Sequence, residues 1–192
     1  MEQILSDSLR LGLPIILGDT KEELVNIVKK VNPQNILEIG SAIGYSASCI
    51  LNASSKTTKL TTLEIDPERH ALCKQNLKRV AGERALALNC DAGEFLKTYK
   101  GEPFDFVFID GPKGQYQTYV NLLLPHLKTN AYLFCDNIYF HGMVNGKIPV
   151  SRGVRTMVRN LGSFIKSMQT DKQFETQILE KGDGILIAKH VK

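Results

Sequence analysis

The sequence predicts an α/β protein: a single domain over residues 1–192, built on one doubly wound, mostly parallel sheet that closes with an antiparallel hairpin. Three observations predict it. Apolar strand-like runs alternate with amphipathic stretches, the pattern of parallel strands with helices on both faces. The runs end at acids, Glu64, Asp91, Asp110 and Asp136, and the carboxyl edge of such a sheet is where these proteins bind ligands. The last two runs are separated only by Lys181-Gly182-Asp183-Gly184, a turn too short for a helical crossover.

Each element follows in order. A first helix is expected from Thr20, a plausible N-cap with Glu22 and Glu23 in its first turn, to just before Pro33. Asn35 to Ile39 is the first strand, Gly40 to Gly44 a turn, and a helix starts at Tyr45. Lys59 to Ile65 is the second strand, and Pro67 opens the next helix at a favoured first position. Arg84 to Cys90, Phe104 to Ile109 and Ala131 to Cys135 are the third, fourth and fifth strands. A helix from about Ser151 precedes the hairpin of Phe174–Leu179 with Gly184–Ala188.

At 192 residues the chain can bury a sizeable core. Its start lacks a basic segment followed by an apolar one, and no run is long enough to span a bilayer. Cys49, Cys73, Cys90 and Cys135 are scattered without metal-ligand or disulfide spacing. These features point to a cytoplasmic protein with reduced thiols and no membrane partner.

The loop Glu38-Ile39-Gly40-Ser41-Ala42-Ile43-Gly44-Tyr45-Ser46 joins a strand to a helix, the place for a nucleotide-like cofactor. It lacks the G-x-G-x-x-G form that brings a pyrophosphate onto a helix N-terminus. Glu38 would repel pyrophosphate, yet suits a cationic sulfonium cofactor bearing an amino group. Glu64, at the end of the next strand, sits where an acid accepts ribose hydroxyls. A dinucleotide site would show the same acid, so Glu64 does not choose between them. Asp91 suits an adenine amine; an ordinary helix N-cap would also place an acid there.

Two neighbouring strand ends offer Asp110 and the pair Asp136-Asn137. Two acids and an amide form an all-oxygen donor set that suits Mg²⁺ over zinc or copper. Turn formation is the plain alternative for each alone. Lys113 lies just beyond Asp110, where it can take a hydroxyl proton or stabilise an oxyanion.

Glu38 to Ser46, Glu64, Cys90-Asp91-Ala92, Asp110 to Tyr116, Asp136-Asn137 and Gly182-Asp183-Gly184 together resemble the class I, S-adenosylmethionine-dependent, metal-dependent O-methyltransferases of catechol and caffeoyl-CoA type. Phe108-Ile109-Asp110, Lys113 to Gln117 and Asp136 to Gly142 look most similar to the bacterial tRNA 5-hydroxyuridine branch. The resemblance implies a Rossmann-like methyltransferase domain using S-adenosyl-L-methionine and Mg²⁺. It implies cofactor contacts from Ile16 (through its backbone), Glu38, Gly40, Ser46, Glu64, Asp91 and Asp110. Asp110, Asp136 and Asn137 would hold the metal, with Lys113 and Asp110 at the reacting oxygen.

Two departures stand out. The helices that many relatives carry before Pro14 are expected to be largely missing, which bears on any homodimer contact. Gly111-Pro112 replaces the small residues usual after the first acid, and Pro112 removes an amide donor near Lys113.

The acceptor is read from charge. No Asp or Glu occurs between Asp136 and Asp171, while Lys147, Arg152, Arg155, Arg159 and Lys166 do. On the helix from about Ser151, Val154, Met157, Val158, Leu161, Phe164, Ile165 and Met168 form an apolar face opposite the arginines. A solvated face is the ordinary reading of such charge. A purely cationic face beside the metal ligands suits phosphate, so Arg152, Arg155 and Arg159 are assigned to tRNA. The expected reaction methylates the 5-hydroxyl of wobble 5-hydroxyuridine; the alternative acceptor is a catechol-like phenol or caffeoyl-CoA-like ester. A non-catalytic binding domain of the same fold is a third reading, which the intact acid, amide and lysine set opposes.

Overall fold

A computed structural model describes residues 1–192. Seven strands form one sheet: β1 (Asn35–Ile39), β2 (Lys59–Glu64), β3 (Ala85–Asn89), β4 (Phe104–Ile109), β5 (Leu127–Cys135), β6 (Phe174–Leu179) and β7 (Ile185–His190). Their order is β3-β2-β1-β4-β5-β7-β6. The first five run parallel, and β7 lies antiparallel to both β5 and β6. The sheet therefore has the predicted form, with its order reversing between β1 and β4.

Helices α1 (Glu2–Arg10), α2 (Gly18–Val31), α3 (Tyr45–Ala53) and α4 (Pro67–Ala81) cover one face. Helices α5 (Ala92–Thr98), α6 (Tyr116–Leu123) and α7 (Arg155–Thr170) cover the other. The period-2 alternation of β4 shows why. Phe106 and Phe108 pack with Leu24, Ile50 and Leu77 on the first side. Val107 and Ile109 pack with Tyr116, Leu161 and Phe164 on the second. Every side chain from Phe106 to Ile109 is fully buried, so the strand reads as an unbroken apolar run. No helix is long and apolar enough to cross a membrane.

Some expected boundaries are corrected. A helix, α1, does precede Pro14, anchored by the buried Ile4 and Ser8. Thr20 does not cap α2, which starts at Gly18; Thr20 is buried inside its first turn. The last long helix enters through a single 3₁₀ turn, Arg152–Val154, and becomes α-helical only at Arg155. The third strand is shorter than expected and the fifth starts earlier, at Leu127. Asp66 caps α4 as well as preceding Pro67, accepting from the amides of Glu68 and Arg69 at 2.9 Å each.

Register then places the site. Ile39 lies level with Leu63 and Ile109, and Ile109 with Cys135. The residues that follow, Gly40, Glu64, Asp110 and Asp136, therefore share one edge of the sheet. The ladder continues one step past the strands: Asp110 N–H donates to Ile39 O at 2.9 Å and Asp136 N–H to Ile109 O at 3.1 Å.

Candidate active site

The first cavity, of about 270 Å³, opens above β1, β2 and β3 and is lined by Gly40, Glu64, Ile65, Arg69, Asp91 and Asp110 among others. Gly40 adopts φ +92°, and a Cβ there would lie 2.4 Å from the carbonyl oxygen of Asp110. Only glycine lets the β1 turn approach the end of β4 this closely. Glu64 is 7% exposed, and its two oxygens accept the amides of Ala42 at 2.9 Å and Asp66 at 3.0 Å. A carboxylate has further lone pairs, so Glu64 shapes the loop and still faces the cavity. Asp91 fills both roles the sequence allowed: it caps α5 through the Glu94 amide at 3.0 Å and lines the cavity.

Glu38 is a correction. It lies beneath the cavity and does not line it, being fully buried with Ser46 donating to one oxygen at 2.6 Å and Thr62 to the other. Burial pushes its carboxyl up to about 7, and the nearby charges of Asp110 and Glu64 push the same way, against the two hydroxyls. Ser46 is committed to Glu38 and lines neither cavity. The Ile16 side chain packs into the core at 3% exposure, a placement compatible with the backbone contact expected of it, and its neighbours Pro14 and Ile15 line the second cavity.

This second cavity, of about 350 Å³, brings together Asp110, Lys113, Asp136 and Asn137, the residues predicted for metal and catalysis. It shares Asp110 and Gly111 with the first, so the two meet at the end of β4. Lys113 is mostly buried, with 13% of its side chain exposed, and pairs with Asp110 at 2.7 Å. Its ammonium also donates to the Tyr116 hydroxyl at 2.8 Å. Tyr116 in turn donates to the carbonyl of Asp136 at 2.9 Å, linking the lysine to both strand ends. Lys113 reaches the site although Pro112 removes an amide donor from the turn before it. Asp136 is 3% exposed; burial and then the like charge of Asp110 hold its carboxyl up at about 7. Asn137 takes a left-handed backbone at φ +53° and donates its own amide to Asp136 at 2.7 Å. Two acids, one of them buried, thus share this cavity with one amide and with the Lys113 ammonium that pairs Asp110.

Arg152, Arg155 and Arg159 are all exposed, and none takes part in an ion pair. Arg152 lies in the 3₁₀ turn and Arg155 and Arg159 in the first turns of α7, which packs against the Lys113–Gln115 turn. The roles of Tyr116 and of Asp183, which lines the second cavity, escaped the sequence reading. For Asp183 the signal is the Gly182-Asp183-Gly184 turn, which in sequence reads only as the turn that closes the hairpin.

Comparison with known proteins agrees with this geometry. A family model described as O-methyltransferase matches residues 14–191. A caffeoyl-CoA O-methyltransferase of Medicago sativa is 26% identical over 185 residues, covering 91% of this chain and 74% of that protein. A catechol O-methyltransferase of Niastella koreensis is 31% identical over 137 residues, covering 68% of this chain and 62% of that protein. Among solved structures, a candidate caffeoyl-CoA O-methyltransferase from Staphylococcus aureus aligns with a TM-score of 0.90 at 28% identity, covering 98% of this chain and 91% of that one. An S-adenosylhomocysteine-bound methyltransferase of Podospora anserina aligns at 0.81 and 26% identity, covering 93% and 80%.

Proposed function

The chain belongs to the O-methyltransferase family, and on that premise we propose that it moves the methyl group of S-adenosylmethionine to the 5-hydroxyl of 5-hydroxyuridine at the tRNA wobble position, giving 5-methoxyuridine. The observation that carries methyl transfer is the meeting of the two cavities at Asp110-Gly111. A cofactor in the first faces an acceptor in the second, and proximity of that kind is most of what methyl transfer from a sulfonium needs. Glu64 and Asp91 supply hydrogen-bond acceptors in the first cavity, and Gly40 lets the β1 turn close against the end of β4 at its edge.

The donor set of the second cavity fits Mg²⁺: two carboxylate oxygens and an amide oxygen are hard ligands, and a divalent cation would offset the charge that Asp110 and Asp136 hold together. Asp110, Asp136 and Asn137 would hold it. When bound, Mg²⁺ supplies Lewis-acid polarisation and a template for paired oxygens. The 5-hydroxyl and 4-carbonyl of 5-hydroxyuridine are such a pair, as are the hydroxyls of a catechol. Lys113, held in place by Asp110 and Tyr116, is positioned to take the acceptor hydroxyl's proton or to stabilise negative charge on its oxygen.

What favours tRNA is the unpaired cationic group Arg152, Arg155 and Arg159 beside the Lys113 turn. A second reading, a catechol or caffeoyl-CoA-like ester, is favoured by what the relatives named above act on. Incubation with S-adenosylmethionine, Mg²⁺ and tRNA carrying 5-hydroxyuridine, followed by nucleoside mass spectrometry, separates the two. Accumulation of 5-methoxyuridine supports the tRNA reading; turnover of caffeoyl-CoA or catechol alone replaces it. Asp136→Ala is expected to abolish turnover while cofactor affinity stays near the wild-type value. Full activity in excess chelator would remove Mg²⁺ from the proposal.

A further inference from the structure

Past β5 the chain enters a strained segment. Asn137, Phe140 and His141 have φ of +53°, +45° and +55°, followed by Gly142 at +75°. Asparagine tolerates this region, but phenylalanine and histidine adopt it only where the surroundings hold them there. Asn137, Phe140 and His141 all line the second cavity, with the Phe140 and His141 rings 5.0 Å apart between centroids.

The β6–β7 turn supplies the hold. Its backbone accepts the Ile138 amide at Gly184 O, 3.0 Å, and the Tyr139 amide at Asp183 O, 2.9 Å. The Asp183 carboxylate takes the next two free amides, His141 at 2.6 Å and Gly142 at 3.2 Å. This seating needs glycine at 184, because a Cβ there would lie 2.4 Å from the Tyr139 ring. Asp183 thus bonds the left-handed residues themselves, from an element about forty residues further along the chain.

We propose that Asp183 is a positioning residue: its carboxylate fixes the left-handed turn at His141-Gly142 and so sets the Phe140-His141 wall of the acceptor cavity. This rests on the reading of the second cavity as the acceptor site. The hairpin turn is then part of the active-site architecture as well as the close of the sheet.

The test compares wild type, Asp183→Ala and Asp183→Asn as full chains, saturated with S-adenosylhomocysteine for amide exchange and with S-adenosylmethionine for turnover. Amide hydrogen exchange at His141 and Gly142 should accelerate by about tenfold or more in Asp183→Ala, and by less in Asp183→Asn, which keeps one acceptor oxygen. On the acceptor that wild type turns over, KM should rise by about fivefold or more with kcat within about twofold, since the wall binds the acceptor equally before and during transfer and does not join the chemistry. Affinity for S-adenosylhomocysteine should not move. If the alanine variant does not fold, Asp183→Asn carries both measurements. Unchanged exchange overturns the proposal. Faster exchange with KM unchanged also overturns it, leaving Asp183 a contact that holds the turn and nothing more. If wild type methylates none of 5-hydroxyuridine tRNA, catechol and caffeoyl-CoA, the acceptor reading falls by itself, and exchange alone decides whether Asp183 fixes the turn.

Discussion

Glu64 commits both carboxylate oxygens to the amides of Ala42 and Asp66 while facing the first cavity. Loss of the side chain therefore has two effects that separate in measurement. In the proposed reading its oxygens also accept ribose hydroxyls, and each bond to a charged acceptor contributes about 1.5–3 kcal/mol. Glu64→Ala should weaken S-adenosylmethionine binding by at least about tenfold in calorimetry, by that same bond energy. Thermal stability should fall too, because two amides lose their partner. Unaltered cofactor binding with lowered stability would reduce Glu64 to a loop brace. The positions of Glu64, Asp91, Asp110 and Asp136 were legible because each ends an apolar run. The depth of Glu38 was not. An acid two residues before Gly40 looks the same in sequence whether it meets ligand or core. Its fate was decided by β1 being an interior strand with both faces covered, where Ser46 and Thr62 supply its hydrogen bonds.

Helix α7 shows what periodicity can and cannot settle. Its apolar stripe was legible, and Val158, Leu161, Phe164, Ile165 and Met168 are all buried. Its entry was not, since a 3₁₀ turn and an α turn share the same side-chain pattern over three residues. Helix α1 went unread because its apolar positions are few and only Ile4 and Ser8 are buried. The cationic group at the entry and first turns of α7 carries the element-scale prediction. Arg152, Arg155 and Arg159 are exposed and unpaired, so changing all three to Gln should shift the melting temperature little. If they hold phosphates, each lost contact should flatten the slope of log affinity for tRNA against log salt by about 0.7–0.9. Methylation of a small catechol, where wild type shows it, should survive. An unchanged salt slope would make these arginines a solvated face and return weight to the phenol reading.

At the scale of the whole molecule, the fold concentrates acids along one edge of the sheet, and its stability should register them. Alternation, strand-end acids and the short hairpin made that edge legible. The charge balance within it depended on burial, which the sequence does not print. Glu38 is fully buried, and its carboxyl is raised from the ordinary 4.5 to about 7. A carboxyl raised on folding binds its proton more tightly in the folded state, so the folded state is favoured most at low pH. That contribution is complete below about pH 4.5 and is lost as pH rises through about 7, at roughly 1.4 kcal/mol per pH unit between the two. Other carboxylates titrate in the same acid range, so the total stability curve does not isolate this group; a difference does. Glu38→Gln removes the ionisation while keeping a side chain that Ser46 and Thr62 can bond. Relative to wild type, the variant should gain stability steadily from pH 5 to 7, by an amount on the order of 3 kcal/mol, and gain nothing further above pH 7.5. Urea unfolding of both proteins across that range, in chelator so that divalent ions do not contribute, gives the difference directly. A flat difference would mean that the edge of the sheet admits enough water to solvate Glu38, and that the acids along it are less tightly coupled than their burial implies.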